Sequence, residues 1–444
     1  MCDESNKKNK FIHIVQICLS SDLCQYLYEH YPHRACQPRR NLLYCSKDLT
    51  SIIIHEIIRM KYIPQSIADK MSDANKKYIR HLTFDQKNYC DNDAHDILMF
   101  SQIKAVAFDD MVVFEIKENT LPQNLTRLVL GGRYNKPLTS GMLPSSLIEL
   151  FFGSCFNHPI GQNILPPLLN SLAFSYNFNQ PIDQFVLPTT LQMLGFGYMF
   201  NQPINPSVLP SGLQIVVFGH NFNQPINPLV LPLTLKKLMF GRDFNQRINP
   251  SVLPPLLEIL WFGNRFNQPI DPSVLPQSLI ELKFGIDFNR KLDPFALPLT
   301  LKTLIFGEKF NKPLNQGILP NSLKTLTFGS AYNLPLINPL VIPSSLTILT
   351  FGGNFNQNIS AEALPRSLQE LKFGTNFNRP LPPLPLTLKK LSFCYTSCFN
   401  QPIGQGILPP SLIILSFGPG FNQPIYKKTL PRGLRRLDLS ACFN

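Results

Sequence analysis

Residues 200–221 read F-N-Q-P-I-N-P-S-V-L-P-S-G-L-Q-I-V-V-F-G-H-N, and variants of this unit fill most of the chain. Its opening Phe-Asn, or Tyr-Asn, recurs from Tyr134 through Phe156 and Phe178 to Phe443. The step is 22 residues throughout, except from Tyr332 to Phe355, where it is 23. Between Phe377 and Phe399 the Leu-Pro pair comes two residues early, and Cys394-Tyr395-Thr396-Ser397-Cys398 restores the phase. One short period held over this length marks a stacked array, because a unit this small has too little apolar surface to close a core alone.

Within the unit, L-x-x-L-x-F-G, as in Leu235 to Gly241, ends on alternating apolar positions and reads as a half-buried strand. The glycine that follows is expected to supply a positive φ where the chain turns away. Prolines in Gln-Pro-Ile and Leu-Pro exclude helix from the return path. The fold expected is therefore a repeat solenoid with one long curved parallel β-sheet and non-helical, Pro-rich return segments. With strands ~4.8 Å apart, some fifteen coils make a body roughly 70 Å long. The Phe residues should form two columns. The Asn beside them (Asn179, Asn201, Asn223, Asn245, Asn267, Asn289 and Asn311 in the central coils) should form a structural ladder that satisfies turn groups otherwise buried unpaired.

At 444 residues the chain exceeds the ~250–300 at which a single core stops growing, which again favours an array. The net charge of +13 lies wholly in the repeats: residues 1–118 hold 16 Lys/Arg and 16 Asp/Glu, and subtraction from 41 and 28 leaves 25 basic against 12 acidic. Such an excess can serve nucleic acid, or it can keep an elongated apolar array dispersed. No run of five basic residues and no basic stretch interleaved with aromatics occurs, which favours the second reading. Six of the ten cysteines fall in residues 1–118 at irregular spacing, and the apolar stretch Phe11 to Leu19 lacks a small-residue cleavage site. An intracellular, cytoplasmic setting with reduced thiols is the expectation. No apolar run approaches the ~20 residues of a membrane span.

The pattern resembles the FNIP repeat family, relatives of leucine-rich repeats found in social amoebae and in giant viruses that infect amoebae. Phe222-Asn-Gln-Pro-Ile226 carries the resemblance, with its equivalents at 178–182, 200–204, 266–270, 399–403 and 421–425. Departures are His158 in place of Gln, and Arg247 and Asn358 in place of Pro. The resemblance covers residues 121–444 and implies a leucine-rich-repeat-like solenoid with a protein-binding role, no catalytic residue and no cofactor. Ahead of it, His81-Leu-Thr-Phe84 and Ala105-Val-Ala-Phe108 read as degenerate capping coils within residues 80–120. At the far end, charges at Arg435, Arg436 and Asp438 discourage further strand addition.

Residues 1–79 read as a small α-helical N-terminal domain. Over 11–71 apolar residues recur at three- and four-residue spacing, punctuated by Pro32, Pro38 and Pro64. Some relatives join FNIP repeats to an F-box, a module that docks onto a cullin-type ubiquitin ligase. The Leu-Pro opening of such modules is missing here, so a degenerate F-box and an unrelated helical cap stand as alternatives. Cys24, His30, His33, Cys36 and Cys45 match no common zinc spacing, so no metal is expected. Cys394 and Cys398 read as packed thiols. No phosphate loop, Ser-His-Asp set or H-E-x-x-H motif occurs, so the chain does not read as an enzyme.

In a coil of this type the residues flanking the second leucine of the strand point out of the concave face. Met193, Ile215, Val217, Lys237, Met239, Ile259 and Trp261 then form a largely apolar surface, the candidate site for an unidentified protein target. Strand propensity alone, or internal docking of residues 1–79, would produce the same column. Beside it runs a basic rim of Lys236, Lys302, Lys324, Lys389 and Arg435, either a solvated edge or a guide for an acidic partner. A ligase adaptor is the second candidate partner and nucleic acid the third. No membrane contact is expected, and the chain should be a monomer.

Overall fold

The structure, a computed structural model, describes residues 63–64, 81–84, 103–108, 115–335, 340–426 and 428–439. Among these residues eighteen strands, numbered in chain order from β1 (Ile63–Pro64) to β18 (Arg436–Asp438), form one sheet in which each strand pairs in parallel with the next. The extended residues ahead of the regular repeats belong to it: β2 (His81–Phe84) pairs with β3 (Ala105–Phe108), and β3 with β4 (Arg127–Val129). β1 pairs with β2 inside the segment expected to be helical, so Ile63 and Pro64 are extended instead. Proline favours this outcome, since it holds the residue before it in extended backbone and is tolerated on an edge strand. The remainder of residues 1–79, with the F-box alternative and the Cys24 to Cys45 group, lies outside the described residues.

Register follows the period. Lys237 of β9 (Lys237–Met239) sits opposite Ile259 of β10 (Ile259–Trp261), 22 residues on. Where the sequence shifts phase, the strands shift with it: Glu370 pairs with Lys390 and Lys390 with Ile414, steps of 20 and 24. The return segments hold a single 3-10 turn, Ala361–Ala363, as the one helical element among the described residues.

Each coil contributes a ring of apolar side chains to a core that runs along the array. In the coil from Phe222 these are Phe222, Ile226, Val230, Leu231, Leu235, Leu238 and Phe240, none more than 7 % exposed. The aromatics form two columns that touch within and between coils, with Phe240–Phe244 centroids 3.8 Å apart and Phe244–Phe266 6.1 Å apart. Such offset stacks add to the burial of apolar area.

The strand-end glycines do a different job from the one expected. None of Gly197, Gly219, Gly241 or Gly263 has a positive φ; instead, a Cβ on Gly241 would sit 1.8 Å from the carbonyl oxygen of Gly219. They are small because successive coils cross there almost in contact. Left-handed backbone falls on the return path, at Asn163, Phe185, Ser207, Leu229, Ser251, Ser273 and Phe295, with φ between 61° and 71°. Each of the proline-bearing turns is closed by one hydrogen bond, as where Val208 N–H donates to the Asn205 carbonyl at 3.3 Å. Proline at the second turn residue and a positive φ at the third are the type II pattern.

Candidate recognition surfaces

The sheet brings the predicted partner-binding residues together. Met193 of β7 (Met193–Gly195), Ile215 of β8 (Ile215–Val217), Lys237 and Ile259 stand opposite one another in turn, and so do Val217, Met239 and Trp261. The leucines and valine between them, Leu194, Val216, Leu238 and Leu260, are wholly buried. Met239 is itself only 6 % exposed, while the other six are half-buried. Met239 therefore offers its neighbours packing more than it offers a partner surface.

Trp261 is held on two sides. Its indole N–H donates to Glu281 Oε1 at 2.7 Å, and Lys283 Nζ lies 5.2 Å from the ring centroid, both from β11 (Glu281–Lys283). Burial pushes the Lys237 ammonium below its ordinary pKa, against the opposing pull of Glu258 and Glu281. At the other end of the face, Arg127 Nε lies 3.3 Å from Glu149 and its guanidinium 5.2 Å over Phe151. Burial raises the Glu149 pKa, opposed by Arg127. The apolar patch thus has a charged frame on both sides.

The basic rim is not continuous. Lys236, Lys302, Lys324, Lys389 and Arg435 are all exposed, but only Lys302 and Lys324 occupy neighbouring coils. Lys236 lies 3.9 Å from Glu258, and Lys324 Nζ donates to the Ser345 carbonyl at 3.3 Å.

Behind the sheet, the asparagine column is hydrogen-bonded from coil to coil. Asn223 N–H donates to Asn201 Oδ1 at 2.9 Å and Asn245 N–H to Asn223 Oδ1 at 2.9 Å, a pattern running from Asn135 to Asn422. The glutamine that follows adds to it: Gln246 Nε2 donates to both the carbonyl and Oδ1 of Asn223. Sequence reasoning missed a second ladder, made by the Ser or Thr just ahead of the first strand leucine. Thr234 Oγ1 donates to the carbonyls of Ser211 (2.6 Å) and Leu213 (2.8 Å), and Ser278, Ser322 and Ser345 repeat the second bond. The recurring Ser-Leu and Thr-Leu pairs were the available signal.

A groove of about 570 Å³ runs along the ridge between strand end and Phe-Asn. It is lined by Asn135, Asn157, Asn179 and Asn201 and by Cys155, Asn177, Met199 and Asn221, the column two residues ahead of the ladder asparagines. Tyr176, Tyr198 and His220 stack along this ridge, with centroids 4.4 and 4.1 Å apart. Further along, the ridge becomes an alternation of charges, Arg265 to Asp243 at 3.2 Å and Lys309 to Asp287 at 2.6 Å. The cysteines of the distorted coil are not packed as expected: Cys398 is exposed and Cys394 half-buried. The two extra residues push the loop outward, and Ser397, 1 % exposed, takes the inner place.

Among the described residues no cluster of three His, Cys, Asp or Glu side chains is placed to hold a metal ion, and no helix is long and apolar enough to cross a membrane. No curated protein matches the chain. It is similar to the crystal structure of CroV588, a giant-virus protein described as a novel circular leucine-rich-repeat structure. Identity is 41 % and the TM-score 0.74, over 83 % of this chain and 57 % of that one. The match therefore spans little more than half of CroV588. The FNIP Repeat model matches nine stretches that together cover residues 115–396 and 399–442. With the parallel coils, the Phe columns and the Asn ladder in one period, the chain belongs to the FNIP repeat family.

Proposed function

We propose that the chain is a protein-recognition scaffold that holds its target on the open face of the sheet across β7 to β10. The observation that supports this is the half-exposure of Met193, Ile215, Val217, Ile259 and Trp261 in register on consecutive strands, over a layer of buried residues. Large apolar side chains left at a surface and fixed in place lose little entropy on binding. Trp261 is such a residue, tethered by Glu281 and Lys283. The family and the leucine-rich-repeat-like neighbour support a scaffold role over a catalytic one.

Affinity capture from amoebal cell extract tests this, comparing the intact chain with Trp261→Ala. The substitution removes contacts made by a side chain and leaves the strand hydrogen bonds in place, so the fold persists. A protein retained by the intact chain and lost with Trp261→Ala is the expected result, with little dependence on salt. Retention that survives the substitution would move the site elsewhere, and capture that falls steeply with salt would indicate phosphate contacts instead.

A further inference from the structure

The ridge groove differs from the sheet face in chemistry. No charged side chain lines it between Asn135 and Asn221. The nearby His220 is buried at 8 % exposure, and burial lowers its pKa, leaving a neutral ring at neutral pH. Anionic polymers would find nothing there to neutralise their phosphates.

Its unspent hydrogen-bonding groups are regular. Each ladder asparagine uses Oδ1 for the next coil, as Asn157 does for Asn179 N–H at 2.9 Å, while the Nδ2 groups of Asn135, Asn157, Asn179 and Asn201 make no hydrogen bond within the protein. Asn177, exposed in the column two residues ahead of the ladder, spends neither end of its amide. The result is a row of amide donors one coil apart, ~4.8 Å in a parallel sheet. An extended peptide turns a carbonyl to the same side only every ~6.7 Å, so it falls out of step with that row. A pyranose in an extended 1,4-linked chain advances by about one coil and carries hydroxyls on both edges, so it stays in step even when alternate rings flip. Tyr176 and Tyr198 adjoin the groove as a stack that His220 continues, so they present ring edges to it, with Tyr176 37 % exposed.

We propose that the groove between Asn135 and Asn221 binds a neutral, extended oligosaccharide chain through the free amides of Asn157, Asn177, Asn179 and Asn201. Calorimetric titration of the full chain with cellohexaose tests it, with oligothymidylate and a polyproline peptide as competing probes. The variant is Asn177→Arg, which fills the groove from an exposed position outside the ladder; Asn321→Arg, exposed on the return segment, is the control. The expected result is binding of cellohexaose by the intact chain and by Asn321→Arg, weakened at least tenfold in Asn177→Arg, with circular dichroism unchanged. If Asn177→Arg proves misfolded, Asn177→Ser takes its place with the same expected direction. No binding at millimolar cellohexaose, equal binding by the groove variant, or preference for either competing probe overturns the proposal.

Discussion

A Cβ placed on Gly263 would lie 1.6 Å from the carbonyl oxygen of Gly241, one coil earlier in the array. The atom it meets is a backbone carbonyl that accepts from Phe244 N–H in the turn after the strand, which cannot move aside without disturbing that turn. Gly263→Ala is therefore expected to destabilise by about 3 kcal/mol or more, beyond ordinary overpacking. Gly195, on the open face of β7, is the control: its new methyl would meet Ala173 Cβ at 3.6 Å, an ordinary contact. Gly195→Ala should change stability by no more than about 0.5 kcal/mol. Denaturant unfolding of both variants checks this; equal losses would remove close approach as the explanation.

Leu229 is 81 % exposed and holds φ at 68°. Left-handed backbone costs a residue with a side chain roughly 1–2 kcal/mol, against which glycine loses more chain entropy on folding. Leu229→Gly is expected to stabilise by about 0.5–1 kcal/mol, the reverse of the usual effect of adding glycine. Thermal unfolding reads the sign directly, and a lowered midpoint would count against strain at this turn.

Asn223 Oδ1 accepts from Asn245 N–H and from Gln246 Nε2; Asn223→Ala strands the Asn245 N–H, while Gln246 Nε2 keeps its bond to the Asn223 carbonyl. A loss of about 1–3 kcal/mol is expected. Asn177→Ala, which breaks no hydrogen bond, should stay within about 0.5 kcal/mol. Amide hydrogen exchange adds a local check, since protection should fall first at Asn245.

The Tyr134 hydroxyl is buried without a hydrogen-bond partner where the other described coils, that of Tyr332 apart, carry phenylalanine, and burial pushes its pKa well above the ordinary phenol value. Tyr134→Phe should raise stability by about 1 kcal/mol through removal of that unsatisfied group. A lower unfolding midpoint for the phenylalanine variant would show that the hydroxyl finds a partner.

His220 gives a pH test. Burial holds its native pKa below the ~6.5 of the unfolded chain, so the unfolded state binds the proton first as pH falls. Its contribution is present above about pH 6.5 and is lost as pH drops through the lowered native value. Stability of His220→Gln should show a shallower decline on that acid side than the intact chain, measured by denaturant midpoint against pH. Parallel curves would assign the acid sensitivity to other groups.

Much of the architecture is legible in residues 200–221 alone. Alternating apolar positions before Phe-Gly define the strand, prolines forbid a helical return, and a constant period requires parallel pairing. Even the paired steps of 20 and 24 residues around β16 (Lys390–Phe393) follow from the early Leu-Pro and the extra residues after Cys394. What these have in common is that they depend on the order of residue types within one coil.

The features that escaped depend on the distance between coils. A glycine needed for positive φ and one needed for close approach look the same in sequence; only the position of Gly241 O beneath Gly263 separates them. The seat of left-handed backbone is a turn whose third residue is Phe185, Leu229 or Phe295, types that no turn preference would place there. Trp261 reads as a free apolar anchor until Glu281 and Lys283, twenty and twenty-two residues later, are found beside it. The sequence by itself determined the period, the strand and the apolar ring of each coil, because these arise from local alternation and backbone chemistry. Tertiary structure alone decided which polar groups are spent on neighbouring coils and which remain free in the Asn135–Asn221 groove, because that depends on how closely one coil settles against the next.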